Sequence, residues 1–223
     1  MKKIIRGSLI TGLLLLTFGC SSTPKATTSN TTGAAVSATT ANSSTVVATV
    51  GDKDITDQDL EFYKLLNQIQ MEILKEEGQK QNKVSVADEQ VKNLEKQNND
   101  KNTLLTQAIR LQAMSLLAKE KGYSVDQAAV QKDLDDVKKT YDGYAQAKVI
   151  IDKYGADKFW AKEKEQYELI SLVKKVQNDM KEKAKKENPN QPDKEIEFQT
   201  QKNYEELLQS QISSLKVKIN NNK

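Results

Sequence analysis

Between Val46 and Ile219 the chain shows strand-like character at only two places, and they stand at opposite ends. Residues 46–56, "VVATVGDKDIT", set the β-branched Val46, Val47, Val50 and Ile55 on either side of the turn "GDKD". Residues 215–219, "LKVKI", alternate apolar and basic side chains. Helix formers dominate everything between, and the prolines there are confined to Pro189 and Pro192. A two-stranded ribbon alone is marginal in water, so the opening hairpin needs a third partner. The tail is the one candidate. The chain is therefore expected to be mainly α, a multi-helix domain with a small antiparallel sheet formed by the N-terminal hairpin and the C-terminal strand.

Helix signals recur along the intervening stretch. Thr56 is placed to cap a helix that carries Phe62, Leu66, Ile69 and Ile73 and ends near Gly78. Ser85 is expected to cap the next, with Val91 and Leu94 inward. Thr103 or a neighbour opens a third, with Leu105, Ile109, Leu116 and Leu117 buried and Gly122 as its left-handed stop. "SVDQ" at 124–127 has the form of a capping box for a fourth helix carrying Val130, Leu134 and Val137. A short segment follows from Tyr144 to Tyr154. The longest helix runs from about residue 157 through Tyr167, Ile170, Val173 and Val176 to the loop "ENPNQPD", which two prolines enforce. The last helix spans about 194–214 and is expected to bury Phe198, Leu207, Leu208 and Ile212.

The first 44 residues stand apart from this pattern. A basic start, Lys2, Lys3 and Arg6, an apolar run from Gly7 to Gly19, and then Cys20 make residues 1–19 read as a secretory signal peptide. "LTFGC" at 16–20 resembles the bacterial lipobox, in which the cysteine is acylated and becomes the mature N-terminus; Thr17 and Phe18 depart from its usual residues. The alternative is an unmodified cysteine in an ordinary signal. Lipidation of Cys20 implies anchoring at the extracytoplasmic face of the cell membrane, which two acyl chains suffice to secure. Residues 21–44 hold 13 Ser or Thr in 24 positions and no aromatic, too little apolar surface to offset the entropy of ordering. Residues 20–44 are thus expected to be a lipid-anchored, disordered tether, and residues 45–223 the folded domain.

Charge and composition exclude several function classes. Lys2, Lys3 and Arg6 account for the whole excess of 34 basic over 31 acidic residues, so the chain after Gly19 is formally neutral and no nucleic-acid partner is expected. Interleaved runs such as "KEKEQ" read as solvated helix faces. The absence of histidine removes Ser-His-Asp and Cys-His catalysis and the usual zinc sites. No two of the nine glycines lie within two positions, so neither a dinucleotide fingerprint nor a Walker loop can be drawn. Asp133, Asp135 and Asp136 lack the glycine and terminal glutamate of a calcium loop. A Ser-Lys or carboxylate pair has no local signature here. No enzyme activity, metal or cofactor is expected.

The order of patterned elements resembles a family. "VVATVGDKDITDQDLEFYKLL" (46–66), "LLAKEKGYSVDQAAVQKDLDDVKKTY" (116–141) and "YGADKFWAKEKEQYELISLVKKV" (154–176) are similar to the N-terminal module of the SurA and PrsA foldases, and the last helix with "LKVKI" is similar to their closing element. The resemblance covers nearly all of 45–219 and rests on helices and caps, with no catalytic signature. PrsA-like proteins usually insert a parvulin-type prolyl isomerase domain between the long helix and the closing one. Here "KKENPNQPDKE" (185–195) stands in that place. The resemblance implies a chaperone module without its isomerase, binding unfolded or exported polypeptides.

The candidate client-binding region is 141–160, which holds Tyr141, Tyr144, Tyr154, Phe159 and Trp160, five of the twelve aromatics. Tyrosine and tryptophan offer apolar faces with polar edges. Met71, Met114 and Met180 could add adaptable surface. Each of these residues taken singly reads more ordinarily as core, because a small helical domain needs most of its large side chains inside. The competing functional reading is a structural or assembly lipoprotein of the envelope or spore that binds one dedicated partner.

Overall fold

The computed structural model describes residues 44–220, of which 79% are helical. The signal-peptide, Cys20 and tether expectations fall outside the described residues, apart from the last tether residue, Ser44. β1 (Val46–Val50) and β2 (Lys53–Thr56) form an antiparallel hairpin around the two-residue loop Gly51-Asp52. Gly51 takes φ +63, a left-handed value that suits glycine at the first position of a tight hairpin loop. Between Val46 and Ala48 the register slips by one residue. That bulge breaks the alternation, so Val47 and Ala48 are both buried.

The two ends of the domain meet as expected. β3 (Lys218–Ile219) adds antiparallel to β1, giving the order β2-β1-β3, with Ala48 opposite Ile219 and Thr49 opposite Lys218. The Asn220 amide donates to the Val47 carbonyl at 2.9 Å, and Gly51 N–H donates to the Leu215 carbonyl at 3.3 Å. β3 is shorter than the alternating segment. Lys216 sits at φ +49, where the chain turns out of the last helix, while Leu215 and Val217 pack on the core.

Seven helices lie between among the described residues: α1 (Asp57–Lys80), α2 (Val84–Asn99), α3 (Lys101–Glu120), α4 (Gln127–Tyr141), α5 (Ala145–Tyr154), α6 (Ala156–Glu187) and α7 (Asp193–Ser214). Thr56 caps α1 in a reciprocal box. Its hydroxyl accepts from Asp59 N–H at 3.2 Å, and the Asp59 carboxylate accepts from Thr56 N–H at 2.9 Å. Gly122, φ +84, ends the α3 region in a Schellman arrangement, with Tyr123 N–H on the Ala118 carbonyl and Gly122 N–H on Lys119.

Three expected caps are corrected. Ser85 lies inside the first turn of α2, whose flanking residue Lys83 makes no side-chain cap, because the reversal at Asn82 (φ 54) starts the helix earlier. α3 is capped by Asp100, which accepts from Asn102 N–H at 3.0 Å and from the Thr103 hydroxyl at 2.6 Å. α4 is capped by Asp126, accepting from the amides of Ala128 and Ala129 at 3.1 Å each, so the box from Ser124 does not form. A carboxylate one step from the helix satisfies those donors more strongly than a hydroxyl two residues farther out.

α3 is apolar on most of its circumference, which is why it runs through the middle of the domain. Around it the sheet, α6 and α7 bury the main core, with Met114, Leu104, Leu172 and Leu208 almost wholly enclosed. Phe198 departs from expectation: it is 66% exposed. The buried stripe of α7 is Ile196, Tyr204, Leu208 and Gln211, and a residue two positions from Ile196 points to the opposite side. Met71 and Met114 are likewise core residues, not surface.

Gly78 sits in the last turn of α1 and lets α2 approach. A Cβ there would stand 2.4 Å from the Ala87 Cβ. Helix propensity favours Ala over Gly by about 1 kcal/mol, yet overpacking costs about 1–3 kcal/mol. Gly78→Ala is expected to lower the melting temperature; a raised one would mean that α1 and α2 separate freely.

Candidate functional site

The aromatic side chains of 141–160 come together with Phe62 of α1 in a second core, apart from the main one. Three short elements of sequence bring them there. Tyr141 is the last residue of α4, Tyr144 and Tyr154 bracket α5, and Phe159 with Trp160 lies in the first turns of α6. Gly155, at φ +97, is the single residue between α5 and α6, and its left-handed backbone lets the two helices turn sharply against each other.

Phe159 is the hub. It is fully buried, with ring centroids 5.5 Å from Phe62, 5.0 Å from Trp160, 6.3 Å from Tyr141 and 6.4 Å from Tyr154. Of the five candidate client-binding residues it is therefore the one withdrawn from the surface. Tyr141, Tyr144, Tyr154 and Trp160 are half-buried and form the rim. Lysines lie over three of those rings: Lys80 is 5.0 Å from Tyr144, Lys138 is 5.9 Å from Trp160, and Lys158 is 4.6 Å from Tyr154. The Tyr144 hydroxyl donates to Glu77 Oε1 at 2.9 Å, tying the start of α5 to α1. Burial and that carboxylate push the Tyr144 phenol up to about 12.

A carboxylic acid lies on the inner side of this cluster. Glu163 is one turn beyond Phe159 on α6, is 3% exposed, and its Oε2 has no hydrogen-bond partner. Burial alone pushes its carboxyl up to about 8. Its titratable neighbours are phenols: Tyr63 from α1, Tyr141 from α4 and Tyr167 on α6, each raised by burial and further by the negative charge Glu163 would carry. Beside it Tyr63 donates to Gln166 Oε1 at 3.1 Å. Nearby, Lys162 bonds Asp59 at 2.8 Å; against the upward push of burial, that bond and those from Thr56 hold Asp59 below the usual carboxylate range.

Phe62, Tyr63, Glu163 and Gln166 were not among the expected site residues. A signal for two of them is present in the spacing: Phe159, Glu163, Gln166 and Ile170 follow one another at +4, +3 and +4, so an acid occupies an apolar helical stripe. Phe62 and Tyr63 arrive from about a hundred residues away, and no local pattern announces them.

Burial, with no partner charge, is the one cause of the raised Glu163 carboxyl. Among the described residues the titratable groups around it are the phenols of Tyr63, Tyr141 and Tyr167, and the arrangement holds a proton in an apolar setting. Elsewhere among the described residues the large exposed apolar side chains are Val84 and Val86 of α2, Val149 of α5, Phe198 of α7 and Ile219 of β3, spread over four elements. Among the described residues no helix is long and apolar enough to cross a membrane. Comparison of the chain with family models, with curated proteins and with solved structures finds no match in any of the three.

Proposed function

We propose that the chain is an extracytoplasmic, membrane-tethered chaperone-like lipoprotein of the SurA/PrsA type, anchored through Cys20, that binds unfolded or exported polypeptides and has no prolyl isomerase activity. The observation that carries this reading is the pairing of the last strand with the opening hairpin, which gives the domain the same order of closing elements that the resemblance requires. A second support is the short link between α6 and α7, residues 188–192, at the position where the resemblance puts the isomerase domain of PrsA-like proteins. The rim of Tyr141, Tyr144, Tyr154 and Trp160 is the client surface in this reading, with Phe159 as its buried support.

Anti-aggregation assays on three unrelated denatured proteins test it. Near-stoichiometric suppression of light scattering for all three is the expected result, with no acceleration of prolyl-peptide isomerisation. One observation favours the narrower role of a dedicated assembly partner: lysine ammonium groups already occupy three of the four rim rings, leaving little open apolar surface. Suppression of none of the three, together with capture of one tight partner, would decide for that role.

A further inference from the structure

We infer that α4 and α5 form a lid over the aromatic cluster, held shut by the proton on Glu163, and that loss of this proton opens the apolar surface to unfolded polypeptide. The occupant rests on the chaperone reading above; the lid does not.

Among the described residues Glu163 Oε2 has no hydrogen-bond partner, and no lysine or arginine there forms an ion pair with its carboxylate. The charged groups around it are committed elsewhere. On α6 itself Lys162 is paired with Asp59 and Glu165, and Tyr167 is a phenol. α1 presents Tyr63, bonded to Gln166, and α4 presents Tyr141, with Lys138 over the Trp160 ring. α5 brings Tyr154 into the cluster, while its Asp152 and Lys153 are exposed. α3, which packs on α6 farther along, has Arg110 bound to Glu205 and its remaining charges at exposed ends. An ionised Glu163 would thus be a buried charge with nothing to compensate it. Burial of an unpaired charge is costly enough that the structure yields before the charge is kept dry.

The part placed to yield is the α4–α5 segment. α4 buries only Val130, Leu134 and Val137, and α5 only Ala147 and Ile151. Elements with so few buried apolar side chains open at lower free energy than the domain as a whole. Polar ties between α4 and α6 gather toward the start of α4, at Lys174–Asp133 (3.1 Å), Gln127–Glu168 (3.0 Å) and Lys175 on the Ser124 carbonyl (2.7 Å). At the far end Tyr141 lies against the cluster, and Gly155 joins α5 to α6. A swing about the start of α4, with Gly155 as the second hinge, breaks the Tyr144–Glu77 bond (2.9 Å), lifts Tyr141, Tyr144 and Tyr154 off Phe62, Phe159 and Trp160 and lets water reach Glu163.

A carboxyl held near 8 when shut and close to its ordinary 4.5 when wet couples the lid to pH. Between about pH 4.5 and 8 the open-to-shut ratio rises by about tenfold per unit, and on either side of that window it is level. Native-state hydrogen exchange on the full chain reads this directly, with Glu163→Gln as the reference at each pH so that the intrinsic chemistry of exchange cancels. The expected result is that the amides of Val130, Leu134 and Val137 in α4 and of Ile151 in α5 exchange faster than those of Leu111 and Met114 in α3. Their ratio of wild-type to Glu163→Gln exchange should also grow by about tenfold per unit from pH 6 to 8. A ratio that stays near one, or lid amides no less protected than α3, overturns the lid. Binding of reduced, carboxymethylated lactalbumin tests the occupant: affinity that climbs from pH 6 to 8 in the wild type and is flat in Glu163→Gln supports it. An opening lid with no binding at any pH overturns the occupant alone, and equal wild-type binding at both ends of the range overturns the gating of that surface.

Discussion

Replacing Glu163 by glutamine is expected to make the protein more stable at pH 7, by about 3 kcal/mol, and to flatten its stability between pH 5 and 8. The sign follows from proton binding. In the folded chain the carboxyl keeps its proton to about pH 8, whereas in the unfolded chain it releases it near 4.5. The folded state therefore binds more protons across that window. The contribution of this group is fully present below pH 4.5 and is lost as pH rises, the loss ending near 8. Groups with the opposite behaviour act at lower pH. Asp59, Glu77 and Asp100 are held below the usual carboxylate range, so what they add is present above their unfolded values and is lost on acidification. The wild type should accordingly be most stable near pH 5, and the Glu163→Gln variant should stay level to pH 8. Urea unfolding at pH 5, 6, 7 and 8 measures it, because the midpoints of the two chains must diverge with pH. Coincident midpoints at pH 8 would mean that Glu163 is already wet in the folded protein.

That a single neutral substitution should stabilise the chain marks Glu163 as a residue whose presence costs stability. Its position was partly open to reading, since the run Phe159, Glu163, Gln166, Ile170 sets an acid into an apolar stripe. The frame of the domain was more fully open. Two β-like segments with only helix formers between them left the end-to-end sheet as the one way to complete a hairpin, and β3 does pair with β1. Thr56 and Gly122 act where their local chemistry puts them, as cap and as left-handed stop. Where two capping residues compete within three positions, as with Ser124 and Asp126, spacing alone does not rank them, and hydrogen-bond strength does. Phe198 went the other way because the phase of a helix is set by its neighbours: with Ile196 inward, Phe198 faces solvent. The aromatic cluster was visible only from one side. Residues 141–160 are locally rich in rings, but the Phe62 that completes their packing belongs to α1, and only the folded chain brings it there.

Phe159→Ala is expected to cost about 3–5 kcal/mol, because it removes a large, fully enclosed ring from a site whose walls come from four helices and so collapse only in part. A domain of this size is stable by about 5–15 kcal/mol, so the variant should unfold at much lower urea, with the Trp160 emission of the folded state already altered because that ring lies 5.0 Å from the deleted one. Tyr154→Leu, on the rim, keeps most of the apolar volume and should cost far less while removing a face from the proposed client surface. The pair separates two roles for the same cluster. If the ring of Phe159 meets clients once α4 and α5 lift, Phe159→Ala costs stability and also abolishes binding of lactalbumin at temperatures where the variant is still folded. If it supports the rim from below, Phe159→Ala loses stability first, and Tyr154→Leu loses binding of lactalbumin without loss of fold. For the shut domain the second pattern is the one its burial demands, since a ring with no exposed surface reaches a client only after the proposed lid of α4 and α5 has moved.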